Sequence, residues 1–401
     1  MPAATPPMLR QQILDCHRAG LRPAQVAREL SLPPRTVCRL LARWRQATAT
    51  PDLSPRFGRC GRKVDPGRAA HRESCRLLRR LHPGWGAGRI RLELRKMHPG
   101  EPIAPLRTLQ RWLRADGLAP PPAVPVAPTE YRRATEPHEV WQMDAVEALR
   151  LKDGSGACWL RLTDECSGAI LATELFPVYR WSEVPAGQTQ AALRRAFDRW
   201  GRPGCLRVDN GIPWAITGNL PSALALWLAG LGVAIHYNAP HRPQHNGVVE
   251  RSQGTSQRWA EPERCASIDE LRERLLREDH VQREEYPAID GKSRRAAWPA
   301  LLHSGRGYSR GFEGLMWDLR EALGLLARHR VRRKVSLRGQ VSLYHRLIEA
   351  GRAYSGSWVW VQMDAETAQW VLSDAEGKEL RRRPAPQFTR EAIMALTAPR
   401  S

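Results

Sequence analysis

No Cys-x-x-Cys pair occurs among the eight cysteines, which include Cys16, Cys38, Cys60 and Cys75, and no His-His-Cys-Cys cluster accompanies them. Zinc-finger spacing is therefore absent, and the cysteines read as free cytosolic thiols. Long apolar runs are also missing. The most apolar stretch, Leu220 to Ile235, is interrupted by Pro221 and by glycines, so a buried helix and strand is expected there and not a membrane span. The N-terminus lacks the apolar segment of a signal peptide. Lysine is scarce, six residues among 63 Lys plus Arg, and acids number only 41, which leaves a net charge of +22 and a pI near 10.7. Such a surplus points to a polyanion, although ribosomal and membrane-surface proteins share it. Arginine's planar fork suits phosphates and guanine edges, and GC-rich coding would enrich arginine as well.

What is present begins with a helical unit. Ile13 and Leu14 precede a break at Gly20, Pro23 to Leu30 forms a short helix, and a turn at Ser31-Leu32-Pro33 opens a third. There Val37, Leu40, Leu41 and Trp44 recur at the spacing of a buried stripe, leaving Arg35, Thr36, Arg39 and Arg43 outside. A helix-turn-helix places such a face in a major groove. A three-helix module that binds another protein has the same pattern. The connector Arg56 to Lys63, with Arg59, Arg62 and Lys63, interleaves glycine and arginine as a minor-groove arm does, or as a solvated linker does. A second unit, from about His71 to Leu118, has Gly84-Trp85-Gly86-Ala87-Gly88-Arg89-Ile90 at its middle turn. Its last helix carries Arg107, Thr108 and Arg111 in the places of Arg35, Thr36 and Arg39, so two DNA-reading helices in tandem are expected. Five prolines between Ala119 and Pro128 make a stiff linker.

Three acids mark the centre of the chain. Asp144 lies in an alternating strand, Asp209 follows the short strand Cys205 to Val208, and Glu250 follows the loop Pro243-Gln244-His245-Asn246-Gly247 at the start of a helix. Residues 145–208 and 210–249 separate them, 64 and then 40 positions. Carboxylates at the ends of two strands and on a covering helix can converge and hold two hard cations. Asp164, at a hairpin turn, is expected to be structural. His241 and His245 are expected to order the loop before Glu250.

From Glu139 to Trp259 the order of these motifs resembles the catalytic core of retroviral-integrase-like DDE transposases. The resemblance implies an RNase H-like mixed sheet with Asp144, Asp209 and Glu250 as catalytic, metal-holding residues. Relatives place a Lys or Arg two turns beyond the Glu; here that position is Gln257, and Arg251 or Arg258 stands in for it. Retroviral integrases begin with a zinc module that this sequence lacks, whereas paired helix-turn-helix modules are common in bacterial relatives. After Arg258 come a charged helix, Ile268 to Glu285, and an amphipathic helix, Phe312 to His329, ending in the basic run Arg328 to Lys334. Short alternating strands follow, among them Trp358 to Asp364 and Gln369 to Leu372; they predict a small five-stranded barrel, similar to that of phage Mu-type transposases.

The expected chain is therefore multidomain: all-α helix-turn-helix domains, an α/β RNase H-like core and a small all-β barrel. Its expected order is a helix-turn-helix domain at 1–50, a basic linker at 51–70, a second helix-turn-helix domain at 71–118, a Pro-rich linker at 119–137, the core at 138–290, a basic helical connector at 291–334 and the barrel at 335–390. The resemblance implies a Mg2+-dependent DNA transposase, with Mn2+ as substitute. Its expected partners are double-stranded DNA, further copies of itself and an ATPase that selects targets, in a bacterial, nucleoid-associated cytoplasmic setting with no membrane. A transposase-derived repressor without catalysis is the alternative, and a nuclease that cuts without joining is a third.

Overall fold

The structure is a computed structural model that describes residues 5–45, 52–54, 66–119, 133–209, 211, 220–238 and 246–398. The chain divides into two compact units, Met1–Ala69 and Ala70–Ser401. Among the described residues no helix is long and apolar enough to cross a membrane.

The first unit contains α1 (Pro7–Arg18), α2 (Pro23–Glu29) and α3 (Pro34–Arg45). Pro23 and Pro34 each sit at a first helical position, where the missing N–H costs nothing and the fixed φ favours the start. The stripe Val37, Leu40, Leu41 and Trp44 is buried against Ile13, Val26 and Ala27, as its spacing predicts. Arg59, Arg62, Lys63 and the rest of the basic arm lie outside the described residues, as does most of the proline linker.

The second unit opens with three helices, α4 (Pro66–Leu81, from Ala70 on), α5 (Ala87–Met97) and α6 (Leu106–Ala115). A five-stranded mixed sheet follows: β1 (Val140–Arg150), β2 (Gly156–Asp164), β3 (Ile170–Phe176), β4 (Cys205–Val208) and β5 (Ala234–Tyr237), in the order β3-β2-β1-β4-β5. β1 runs antiparallel to β2 and parallel to β4. The two faces carry different chemistry. Trp141, Met143, Leu160, Leu162, Leu206 and Val208 point to an apolar layer that holds α7 (Ala186–Trp200) and α8 (Ala223–Gly230). α8 is apolar all round because it is buried all round. Gln142, Asp144, Arg161 and Arg207 alternate onto the other face, covered by α9 (Gly247–Ala260) and α10 (Ile268–His280).

The helical unit is docked onto the sheet domain through the glycine-rich turn before α5. Trp85 Nε1 donates to the Trp259 carbonyl at 3.1 Å, His82 Nδ1 and Gly84 N meet the Glu261 carboxylate at 2.9 and 3.2 Å, and Arg89 clasps Glu278 with two bonds of 2.8 and 2.9 Å. A Cβ on Gly84 would stand 1.8 Å from the Arg258 carbonyl oxygen, so only glycine admits this approach. Trp259, Val281 and Tyr286 complete the apolar cluster of Ile90, Leu94 and Leu109. The second helical module therefore shares its core with the sheet domain.

After α10 and a π-helical turn (Val281–Glu285), the chain passes through α11 (Arg294–Ala297), α12 (Glu313–Met316) and α13 (Leu319–Ala327). The long helix expected from Phe312 to His329 is broken at Trp317, whose indole donates to the Trp227 carbonyl at 2.9 Å, and Asp318 then caps α13 by accepting from Arg320 N. The basic run ends α13 only at its first residue, the C-cap Arg328; its remainder enters β6 (Val331–Lys334), which pairs with β9 (Trp358–Asp364), with Arg332 and Arg330 over Trp358 and Trp360. The C-terminal region is all-antiparallel β, as expected. Its strands number six, not five: β6 and β9 join β10 (Gln369–Ser373) and β11 (Glu379–Pro384) in a four-stranded sheet, while β7 (Gln340–Leu343) and β8 (Arg346–Glu349) form a separate ribbon. A last helix, α14 (Arg390–Met394), contributes Ile393 to the main apolar cluster.

Candidate nucleic-acid site

Asp144 and Asp209 become neighbours by register. Gln142 pairs with Arg207 across parallel β1 and β4, so two residues further along each strand the two aspartates stand side by side on one face. α9 brings the third acid. Val249 N donates to Gln142 Oε1 at 3.0 Å, which fixes the first turn of α9, and with it Glu250, over the strand that carries Asp144. Gln142 Nε2 donates in turn to buried Glu165 at 2.8 Å, and Arg207 lies 3.4 Å from the same carboxylate. Further along α9, buried Arg161 bonds Ser256 Oγ at 2.7 Å and Asp279 at 3.0 Å. A hydrogen-bonded polar layer thus holds the helix on the sheet beneath the acids.

The acids sense one another. Burial pushes the Asp144 carboxyl up to about 7, with repulsion from Asp209 and Glu250 in the same direction and the Ala145 N–H opposing it. Burial also raises Glu250, although its side chain reaches solvent. The Asp209 carboxylate accepts from Gly211 N at 3.0 Å, and a Cβ at Gly211 would press within 3.1 Å of it. Three crowded carboxylates, one of them reluctant to ionise, fit a divalent cation, because positive charge relieves both the repulsion and the burial cost.

A carboxyl whose pKa is raised from 3.8 to about 7 costs nothing below about pH 4; the cost grows as pH rises from about 4 to 7 and is fully present above that. In EDTA, Asp144→Asn is expected to be more stable than the parent by about 2–4 kcal/mol at pH 8, the gap closing below pH 5. Equal stability at both pH values would remove the crowded-acid account.

Asp164 lies elsewhere. It faces the α7 layer at the far end of β2, opposite Trp141, and accepts from His138 N at 2.7 Å and from Ser167 N and Oγ at 2.8 and 2.6 Å. Those bonds close a turn, the structural part expected of it. His241 and His245 lie outside the described residues.

Arg251 and Arg258 are exposed and line a cleft of about 700 Å³ between the docked helical unit and α9. Arg79, Arg89, Arg133 and Arg294 line it too, and no carboxylate does among the described residues. Arg294 is pushed below the usual guanidinium range by burial and by the like charge of Arg251. Cations so placed favour an anion. Gln257 lies on the same helical face as Glu250, whereas Arg251 and Arg258 are turned toward the cleft. On the two helices expected to read DNA, Arg35, Arg39, Arg43, Arg107 and Arg111 are exposed and Thr36 and Thr108 half-buried. Val37 and Leu109, fully buried, occupy equivalent places beneath them.

Residues 7–53 match the homeodomain-like domain family. The first unit is therefore a homeodomain-like helix-turn-helix. Among solved structures, the simian T-cell lymphotropic virus intasome in complex with the PP2A regulatory subunit B56 gamma is similar at 16% identity, covering 55% of this chain and 73% of that one, with a TM-score of 0.34. The HTLV-2 integrase catalytic core in complex with magnesium has 16% identity, 43% and 100% coverage and a TM-score of 0.32. The BIV integrase catalytic core has 17% identity, 42% and 98% coverage and a TM-score of 0.31. At these scores the likenesses carry no weight of their own, and the reading of the site rests on register, burial and charge.

The sequence reading missed Gln142, Glu165 and Arg207. Gln142 and Arg207 each precede an acid by two strand positions, so period-two alternation placed them on the face that carries the acids. Glu165 had no such signal.

Proposed function

We propose that this protein is a DNA transposase or integrase that binds the ends of a mobile element and cuts and joins them to target DNA. The observation that carries the reading is the convergence of Asp144, Asp209 and Glu250 beside a cleft lined, among the described residues, by arginines and no acids. In the proposed reaction Asp144, Asp209 and Glu250 would hold two Mg2+ ions, for which Mn2+ could substitute, and ions so held would supply Lewis-acid chemistry toward the scissile phosphate and the attacking hydroxyl. The chain's own groups supply position. The Gln142–Glu165–Arg207 layer keeps the carboxylates in register, and Arg251 and Arg258 seat phosphates of the DNA end against α9. Water first frees a 3′-OH at each end, and that hydroxyl then attacks target DNA in line, so no covalent protein intermediate is required. DNA bound by several copies of the chain, with or without a target-selecting ATPase, belongs to the same proposal.

The test is a plasmid carrying the ends of the chain's own genomic element, incubated with purified protein in Mg2+ or in Ca2+. Nicks at the ends with free 3′-OH groups are expected in Mg2+ only. Binding without nicking in Mg2+ and Mn2+ would favour the repressor reading, and nicking without joining the nuclease reading.

Arg39 and Arg111, equivalent on their helices, are expected to read different parts of one end. Each change to Ala should cost about 1–3 kcal/mol of discrimination at one base pair, read by competition binding with substituted ends. Uniform weakening on random DNA would instead assign them to phosphates. End affinity should also fall steeply with salt, since arginine contacts release counterions.

A further inference from the structure

We propose that His71, His98 and Glu101 form a site for a transition-metal ion of zinc's class, apart from the three carboxylates on the sheet. The residues come from three places in the docked helical unit. His71 lies on α4 and is 3% exposed, His98 ends α5 as its C-cap, and Glu101 follows Gly100 in the turn that leads to α6. One donor atom from each falls within 4.8 Å of the others. Both rings are aimed at one carboxylate: His71 Nε2 lies 2.9 Å from Glu101 Oε2, and His98 Nδ1 lies 3.7 Å from Oε1, with ring centroids 4.6 Å apart. Zinc bonds of about 2.0–2.2 Å at tetrahedral angles put neighbouring ligand atoms about 3.3–3.6 Å apart, between those two contacts. Small shifts would therefore seat an ion.

Two imidazoles and one carboxylate select zinc-like ions over Mg2+ or Ca2+, which take oxygen ligands. Cys75, one turn beyond His71, does not join the three donors that lie within 4.8 Å of one another. Three protein ligands leave one position to water. Neither His71 Nδ1 nor His98 Nε2 has a hydrogen-bond partner among the described residues, so the rings lack the outer support that strengthens zinc sites about 10–100-fold. Moderate, exchangeable binding follows. An ion there would tie α4, the end of α5 and the entry to α6, the helix that exposes Arg107 and Arg111.

The test uses the untagged full chain carrying Asp144→Asn and Glu250→Gln, so that the sheet carboxylates do not compete and the outcome is independent of the proposed strand transfer. Co2+ titration should give visible absorption bands saturating at one equivalent, Zn2+ should displace it, and Zn2+ should raise the melting temperature. Adding Glu101→Gln, which keeps an acceptor for His71 but loses the charge, should weaken binding by more than about 100-fold and abolish the thermal shift. His98→Ala should do the same. No stoichiometric uptake, or uptake unchanged by Glu101→Gln, would overturn the proposal and leave the three residues as a hydrogen-bonded cluster.

Discussion

Asp144→Asn, Asp209→Asn and Glu250→Gln are each expected to abolish cleavage and joining while end binding survives. Each change keeps shape and removes one negative charge. A neutral amide does not hold a hard cation against a phosphate, and loss of positioned charge at a phosphoryl-transfer centre removes activity by several orders of magnitude. Binding survives because the exposed arginines of α3 and α6 lie on elements other than β1, β4 and α9, which position the acids. Asp164→Asn is the control. That carboxylate closes a turn on the opposite face of the sheet, so its loss should lower stability by about 1–3 kcal/mol and leave joining measurable. Gel assays of joined products, run beside binding assays on the same preparations, separate the cases. An active Asp144→Asn with a dead Asp164→Asn would show that the wrong acid has been assigned.

Glu278→Gln should loosen the helical unit from the sheet domain. Arg89 is 2% exposed, bonds Glu278 twice, reaches Glu93 at 2.9 Å and lies 4.0 Å above the Trp85 ring. Removing one partner of a buried pair leaves an uncompensated charge, at a cost of about 3–5 kcal/mol, and the bond to Glu93 keeps this case near the lower figure. Against a typical stability of 5–15 kcal/mol the loss is large. Thermal unfolding should move down by several degrees or split into two transitions. The exposed pair Arg272 and Asp269 supplies the contrast: Asp269→Asn should change stability by less than about 1 kcal/mol. Similar small effects from both would mean that docking does not depend on the Arg89–Glu278 clasp.

Local pattern carried the sequence reading where structure is local. The strands bearing Asp144 and Asp209, the helix of Glu250 and the stripe under Arg35 and Arg39 follow from alternation, turn residues and helical spacing, and each stands where expected. The turn from Gly84 to Ile90 was visible as a turn, but its partner, the Arg258 carbonyl, lies far along the chain and leaves no trace in local pattern. The same holds for Glu165 beneath Gln142 and Arg207. The run Arg328 to Lys334 misled because charge resembles a solvated helix end, whereas pairing with Trp358 to Asp364 makes part of it a strand. Trp317 broke an amphipathic helix for a tertiary reason, its bond to α8.

The most direct measurement of the central claim is sequencing of the junctions formed when wild-type protein, Mg2+, element ends and target DNA are incubated together. The expected result is element 3′ ends joined to target strands in wild-type and Asp164→Asn reactions, with none in Glu250→Gln. Junctions formed equally well by Glu250→Gln would contradict it, as would their absence from wild type that cuts its ends.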